Sequence, residues 1–156
     1  MSSVKYAAVV FVALILSTSA PHKCERLTRA NIEAVLGQAT QCAKERKNVE
    51  CFGGRLEPYT VQFNDAGFVE QIIISNSCAA IVSLKKDLDR IVPEHLRGSF
   101  QTRTKATYKS SCDWGNEEQY ECLDIEFVES LCMDCSRAKI AITWKASETR
   151  TPPAVN

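Results

Sequence analysis

Apolar residues recur along this chain with two periods, one of three to four residues and one of two. From Leu27 to Lys47, Ile32, Val35, Leu36, Ala39 and Cys42 keep the longer spacing, which predicts an amphipathic helix with Thr28 as its N-cap. Lys44, Arg46 and Lys47 fall at the end where the helix dipole favours cations. Gly53-Gly54 breaks that pattern. Tyr59, Val61 and Phe63 then alternate with polar residues, and Phe68–Ser75 forms a second apolar strand. The intervening Asn64-Asp65-Ala66-Gly67 is a four-residue turn, so the pair predicts a hairpin. Ile81, Leu84, Leu88 and Ile91 mark a second helix over 79–92, capped by Asn76 or Ser77 and stopped by Pro93. Three strands follow, over Phe100–Lys109, around Leu123, Ile125 and Phe127, and around Ile140, Ile142 and Trp144. The order predicts one α+β domain, with about five antiparallel strands packed against two helices.

The N-terminus is of another kind. Lys5 precedes an unbroken apolar run of ten residues, Ala7–Leu16, and Ser17–Ala20 are all small. That succession is the signature of a secretory signal peptide, and ten apolar residues are too few to span a bilayer, which needs about twenty. Pro21 disfavours cleavage after Ala20. The expected division is therefore a signal peptide over 1–19, one domain over 20–149, and a flexible tail over 150–156 that contains Pro152-Pro153. A secreted, extracellular location follows, with no membrane span in the mature chain.

Export gives the eight cysteines a meaning. Cys24, Cys42, Cys51, Cys78, Cys112, Cys122, Cys132 and Cys135 all lie beyond the cleavage site, and an even count in an oxidising compartment predicts four disulfides. Eight cysteines allow about 105 pairings, and spacing does not choose among them. Cys132-Met133-Asp134-Cys135 has the spacing of a redox dithiol or half a zinc site. Asp134 would disfavour a thiolate, and no second Cys or His pair is spaced to complete a metal site, so structural bridges are expected and no metal or cofactor. The two histidines, His22 and His95, would have to serve any Cys–His or Ser–His nucleophile, and His95 reads as an exposed helix-end residue.

Nineteen bases balance nineteen acids, which argues against a general positive field for nucleic acid. The charges are nevertheless segregated. Lys85–Lys109 holds seven bases and three acids, whereas Asp113–Asp134 holds eight acids and no base. On successive strands Lys109, Asp124 and Lys139 could pair across one sheet. Such pairing leaves Asp113, Glu117, Glu118 and Glu121, read as a loop, without evident bases nearby. Trp114 beside Glu117, Glu118 and Glu121 combines an aromatic anchor with negative surroundings, a combination suited to an interface.

The first helix followed by a hairpin, and Cys112-Asp113-Trp114 … Cys122 followed by an alternating strand, resemble cystatin-type domains, including cathelicidin prodomains. The resemblance covers about half of the mature chain and implies a protease-inhibitor frame. The inhibitory Gln-x-Val-x-Gly hairpin is absent, since this tip reads Gln62-Phe63-Asn64-Asp65-Ala66-Gly67, and the helix over 79–92 departs from the pattern. The cysteine spacing also lacks the Cys-x3-Cys element of c-type lysozymes. The resulting expectation is a monomeric, secreted, non-enzymatic binding protein of the defence, salivary, venom or signalling kind. Its partner would be an extracellular protein or small ligand, basic in character, taken up through exposed loops. A protease inhibitor and a small hydrolase are the alternatives.

Overall fold

In the computed structural model the described residues are 24–42, 46–54, 58–77, 80–106, 113–130 and 137–146. They form α1 (Arg29–Leu36), β1 (Val49–Phe52), β2 (Tyr59–Phe63), β3 (Val69–Ser77), α2 (Ile81–Ile91), α3 (Glu94–Arg97), β4 (Phe100–Ala106), β5 (Asp113–Tyr120), β6 (Leu123–Ser130) and β7 (Arg137–Trp144). All seven strands join one antiparallel sheet in the order β1-β2-β3-β7-β6-β5-β4. The α+β class and antiparallel sheet agree with the sequence pattern. The expected five strands and two helices become seven and three, because β1, β5 and α3 carry no periodic apolar signal.

Local chemistry accounts for the helix limits. Thr28 caps α1 as predicted, its hydroxyl accepting the Asn31 N–H at 3.4 Å while the Asn31 side chain accepts the Thr28 N–H at 2.8 Å. The helix then stops at Leu36, well short of Lys47. Gly37 takes φ 83° and turns its N–H back to Glu33 O, a conformation an L side chain resists. The apolar spacing that continued through Ala39 and Cys42 serves instead a stretch bridged to β1 at Thr40 and Cys51. The second helix begins after Ala80, and neither Asn76 nor Ser77 caps it, because both belong to β3. Gly98 ends α3 where the chain passes the β5–β6 turn: a Cβ there would stand 2.8 Å from Glu121 Cβ.

The core lies between the helices and one sheet face. Val61, Ile72, Ile142 and Ile125 follow one another in register across β2, β3, β7 and β6, and all are buried. Phe52, Ile74, Ile140 and Phe127 share that face, while Leu84, Leu88 and Ile91 of α2 and Ile32 of α1 close it from above. Helix α2 packs on β3, β7 and β6. Six strand spacings of about 4.8 Å make a sheet roughly 29 Å wide, whereas two helices about 10 Å across cover only ~20 Å. Among the described residues β5 and β4 lie beyond the strands on which α2 packs, although Arg97 of α3 stands over the Tyr120 ring of β5.

Two disulfides join described residues. Cys24 bonds Cys122, tying the segment before α1 to the β5–β6 turn, and Cys42 bonds Cys51 beside β1. Cys78, Cys112, Cys132 and Cys135 lie outside the described residues, as do the expected signal peptide over 1–19, the expected tail over 150–156, His22 and Lys109. With two bridges placed, about three pairings of the remaining four cysteines are left in place of 105. No helix among the described residues is long and apolar enough to cross a membrane.

Candidate functional site

The residues singled out from the sequence lie on a strand rather than a loop. Asp113–Tyr120 has no alternation of apolar and polar residues, yet it pairs along its length with β4 on one side and β6 on the other. Its backbone is satisfied by two ladders, so its side chains need not be apolar to hold it. Successive side chains of a strand point to opposite faces. Trp114, Asn116, Glu118 and Tyr120 therefore take the helix side, and Gly115, Glu117 and Gln119 the open side. Glu121 lies in the turn, where its carboxylate accepts the Ser99 hydroxyl at 2.9 Å and the Ser99 N–H at 3.3 Å. The expected cluster of Trp114, Glu117, Glu118 and Glu121 is thus divided between two faces and a turn.

Glu118 also has a base. Its carboxylate receives Arg103 at 2.5 Å and the Tyr120 hydroxyl at 2.9 Å, and its side chain is only 8% exposed. Burial, and then the hydrogen bond to Glu118, raise the Tyr120 pKa above its ordinary value. Arg103, Glu118 and Tyr120 form an internal network. Of the expected Lys109–Asp124–Lys139 row, Lys109 lies outside the described residues, and Asp124 and Lys139 are not cross-strand partners. Asp124 faces Thr143 and pairs with Lys145 at 3.3 Å, while Lys139 faces Val128.

The open face reads differently from the helix side. Register aligns Thr60, Ile73, Ala141, Glu126, Glu117 and Thr104 across six strands, and Gln62, Gln71, Thr143, Asp124, Gln119 and Thr102 in the next row. Glu117 and Glu126 are direct cross-strand partners. Gln119 Nε2 donates to Glu117 at 3.3 Å. A shallow basin of about 320 Å³ lies here, lined by Gln71, Glu117, Asp124, Glu126, Ala141 and Thr143. Toward the end of the sheet a wider hollow of about 790 Å³ carries mixed charge, from Asp113, Arg137 and Lys139. The centre of the face is acidic, and its end carries one acid and two bases.

Glu126 and Glu129 are the acids that the sequence reading did not select. The signal for Glu129 lies in the β6 alternation itself: Leu123, Ile125, Phe127 and Glu129 are successive inward positions, and all four are buried. An acid in an otherwise apolar phase is visible without a structure. Glu126 becomes informative only through register, which places it against Glu117. His95 lies exposed on α3. Among the described residues no three His, Cys, Asp or Glu side chains stand together to hold a metal ion.

No family model, curated protein or solved structure matches the chain.

Proposed function

We propose that this chain is a secreted, non-enzymatic binding protein whose uncovered sheet face receives a basic partner, of the kind a cationic peptide or a lysine-rich protein surface presents. The observation that carries this reading is the direct opposition of Glu117 and Glu126 at the centre of that face. Like charges placed directly opposite each other destabilise a strand pair. A cation laid across the two carboxylates adds to the contacts they already make within the chain, Gln119 on Glu117 among them. The uncovered polar basin gives such a partner access. The disulfides Cys24–Cys122 and Cys42–Cys51 suit a rigid frame that works in an oxidising compartment.

The test measures a lysine-rich peptide binding to the full mature chain by titration calorimetry at low and high salt. E117Q/E126Q should weaken binding about tenfold or more at low salt and remove most of its salt dependence. Unchanged affinity in that variant would remove the open face from consideration. Retained affinity in a Lys139→Glu control locates the effect at the acidic centre rather than at the end that holds Arg137 and Lys139.

A further inference from the structure

The sheet ends in two edge strands, and they are treated differently. The outer side of β1 is bridged at Thr40–Cys51, whereas β4 pairs with β5 alone, and among the described residues no strand or isolated bridge meets its other side. Phe100 and Gln101–Lys105 are all exposed. In an antiparallel pair alternate residues turn both backbone groups toward the partner. About three of the seven residues of β4 therefore turn theirs outward, enough for roughly six hydrogen bonds to an added strand.

Charge decides which strand fits. From His95 to Cys112 the chain contains no acid, and β4 itself reads Phe-Gln-Thr-Arg-Thr-Lys-Ala. Arg103 and Lys105 are two positions apart and share one face, with Thr102 and Thr104 on the other. The Arg103 side chain is 60% exposed and gives only Nη2 to Glu118, so further guanidinium donors remain. Lys105 makes no hydrogen bond or ion pair among the described residues, and its direct partner on β5 is the uncharged Asn116. A second copy of β4 would add two bases and no acid to the seam, and like charges facing each other weaken a strand pair. An acidic strand gains where a second copy loses. At the start of β4 the Phe100 ring, 54% exposed and edge-on to Tyr120, offers apolar surface.

We infer that β4 receives an extended acidic segment of another protein as an additional strand of the sheet. The segment's backbone pairs with the outer side of β4, alternate Asp or Glu side chains lie against Arg103 and Lys105, and an apolar residue covers Phe100. Main-chain hydrogen bonds supply affinity for an extended chain of any sequence, and the two bases select an acidic one. This edge is separate from the acidic open face, and neither site depends on the other.

The experiment titrates the full mature chain with a fluorescent, end-blocked peptide of sequence Leu-Val-Glu-Thr-Glu-Thr-Val at low salt. Anisotropy follows binding, and amide exchange of the chain locates it. Saturable binding is expected, with exchange slowed at alternate amides of β4. Replacing both Glu of the peptide by Gln should weaken binding about tenfold, and so should K105E, which keeps the wild-type thermal midpoint because Lys105 has no partner to lose. Absence of saturable binding overturns the assignment, as does K105E binding like wild type. Binding that protects no β4 amide overturns it too, by showing attraction of charge without an added strand. Alternate β4 amides already protected in the free chain, together with a dimer in sedimentation, replace the acidic segment by a second copy of this chain.

Discussion

The two edges of the sheet are built on opposite principles. At one edge, β1 is four residues long and its Cys51 and Phe52 are buried. Thr40 covers its backbone, donating both N–H and hydroxyl to Cys51 O at 2.7 and 3.2 Å, and the Cys42–Cys51 disulfide holds that cover in place. At the other edge, β4 is seven residues long and Gln101–Lys105 are exposed. An uncovered edge strand invites pairing with another chain, and charged side chains such as Arg103 and Lys105 oppose it. The comparison shows that position in the sheet does not decide how a strand is held. One edge belongs to the core and is stapled, whereas the other is surface, held by its ladder to β5.

The contrast breaks most visibly under truncation of an aromatic at each edge. Phe52→Ala at the stapled edge, where the ring is fully buried, should cost about 3–5 kcal/mol. Phe100→Ala at the open edge should cost about 1 kcal/mol, because that ring is 54% exposed and its main contact is an edge-on pair with Tyr120. Equilibrium urea unfolding measures both, and equal losses would mean that the open edge is packed as tightly as the stapled one.

Removing the staple is the next largest change. The Cys42–Cys51 bridge closes a short loop, with a sequence separation of 9, so the paired substitution Cys42→Ser with Cys51→Ser should cost about 2–3 kcal/mol. Amide exchange should quicken first in β1, leaving β4 unchanged. A loss distributed evenly across the sheet would show that the bridge serves the whole fold rather than its edge.

The smallest expected effect appears at alkaline pH, with one tyrosine reporting from each region. Burial first, and then the hydrogen bond to Asp87, raise the Tyr59 pKa beside the stapled edge; burial and Glu118 do the same for Tyr120 near the open one. A folded-state pKa above the unfolded value contributes stability that is complete below the unfolded pKa of 10 and disappears as pH rises through the raised values. The urea midpoint should therefore fall above about pH 10, and it should fall less in Y59F/Y120F. Identical pH profiles for that variant and the wild type would contradict the assignment.

What the chain's pattern revealed, and what it hid, follows from where free energy comes from in each element. Strands β2, β3, β6 and β7 bury alternate apolar side chains, and their period of two is written in the residues. Val49–Phe52 is too short to show a period. Asp113–Tyr120 obtains its order from neighbours on both sides, so Asp-Trp-Gly-Asn-Glu-Glu-Gln-Tyr has nothing periodic to show. The same distinction governs the candidate residues. Trp114 and the acids near it were legible as types, but their faces depended on β5 being a strand. The partners of Glu117 and Trp114 come from β6 and required the register. Arg103, fifteen residues before Glu118, is joined to it only by the hairpin between β4 and β5.

The seam between β3 and β7 also bears on how the chain assembles. Residues paired there are far apart in sequence, as with Gln71 and Thr143, separated by 72 positions, whereas β2 and β3 meet through a short turn. Contacts of such long range form slowly, because a large loop must close before any reward is gained. A ribosome delivers β3 well before β7 exists. Until then Ile72 and Ile74 line a strand paired only with β2, and that nascent edge is where a chaperone has most to protect.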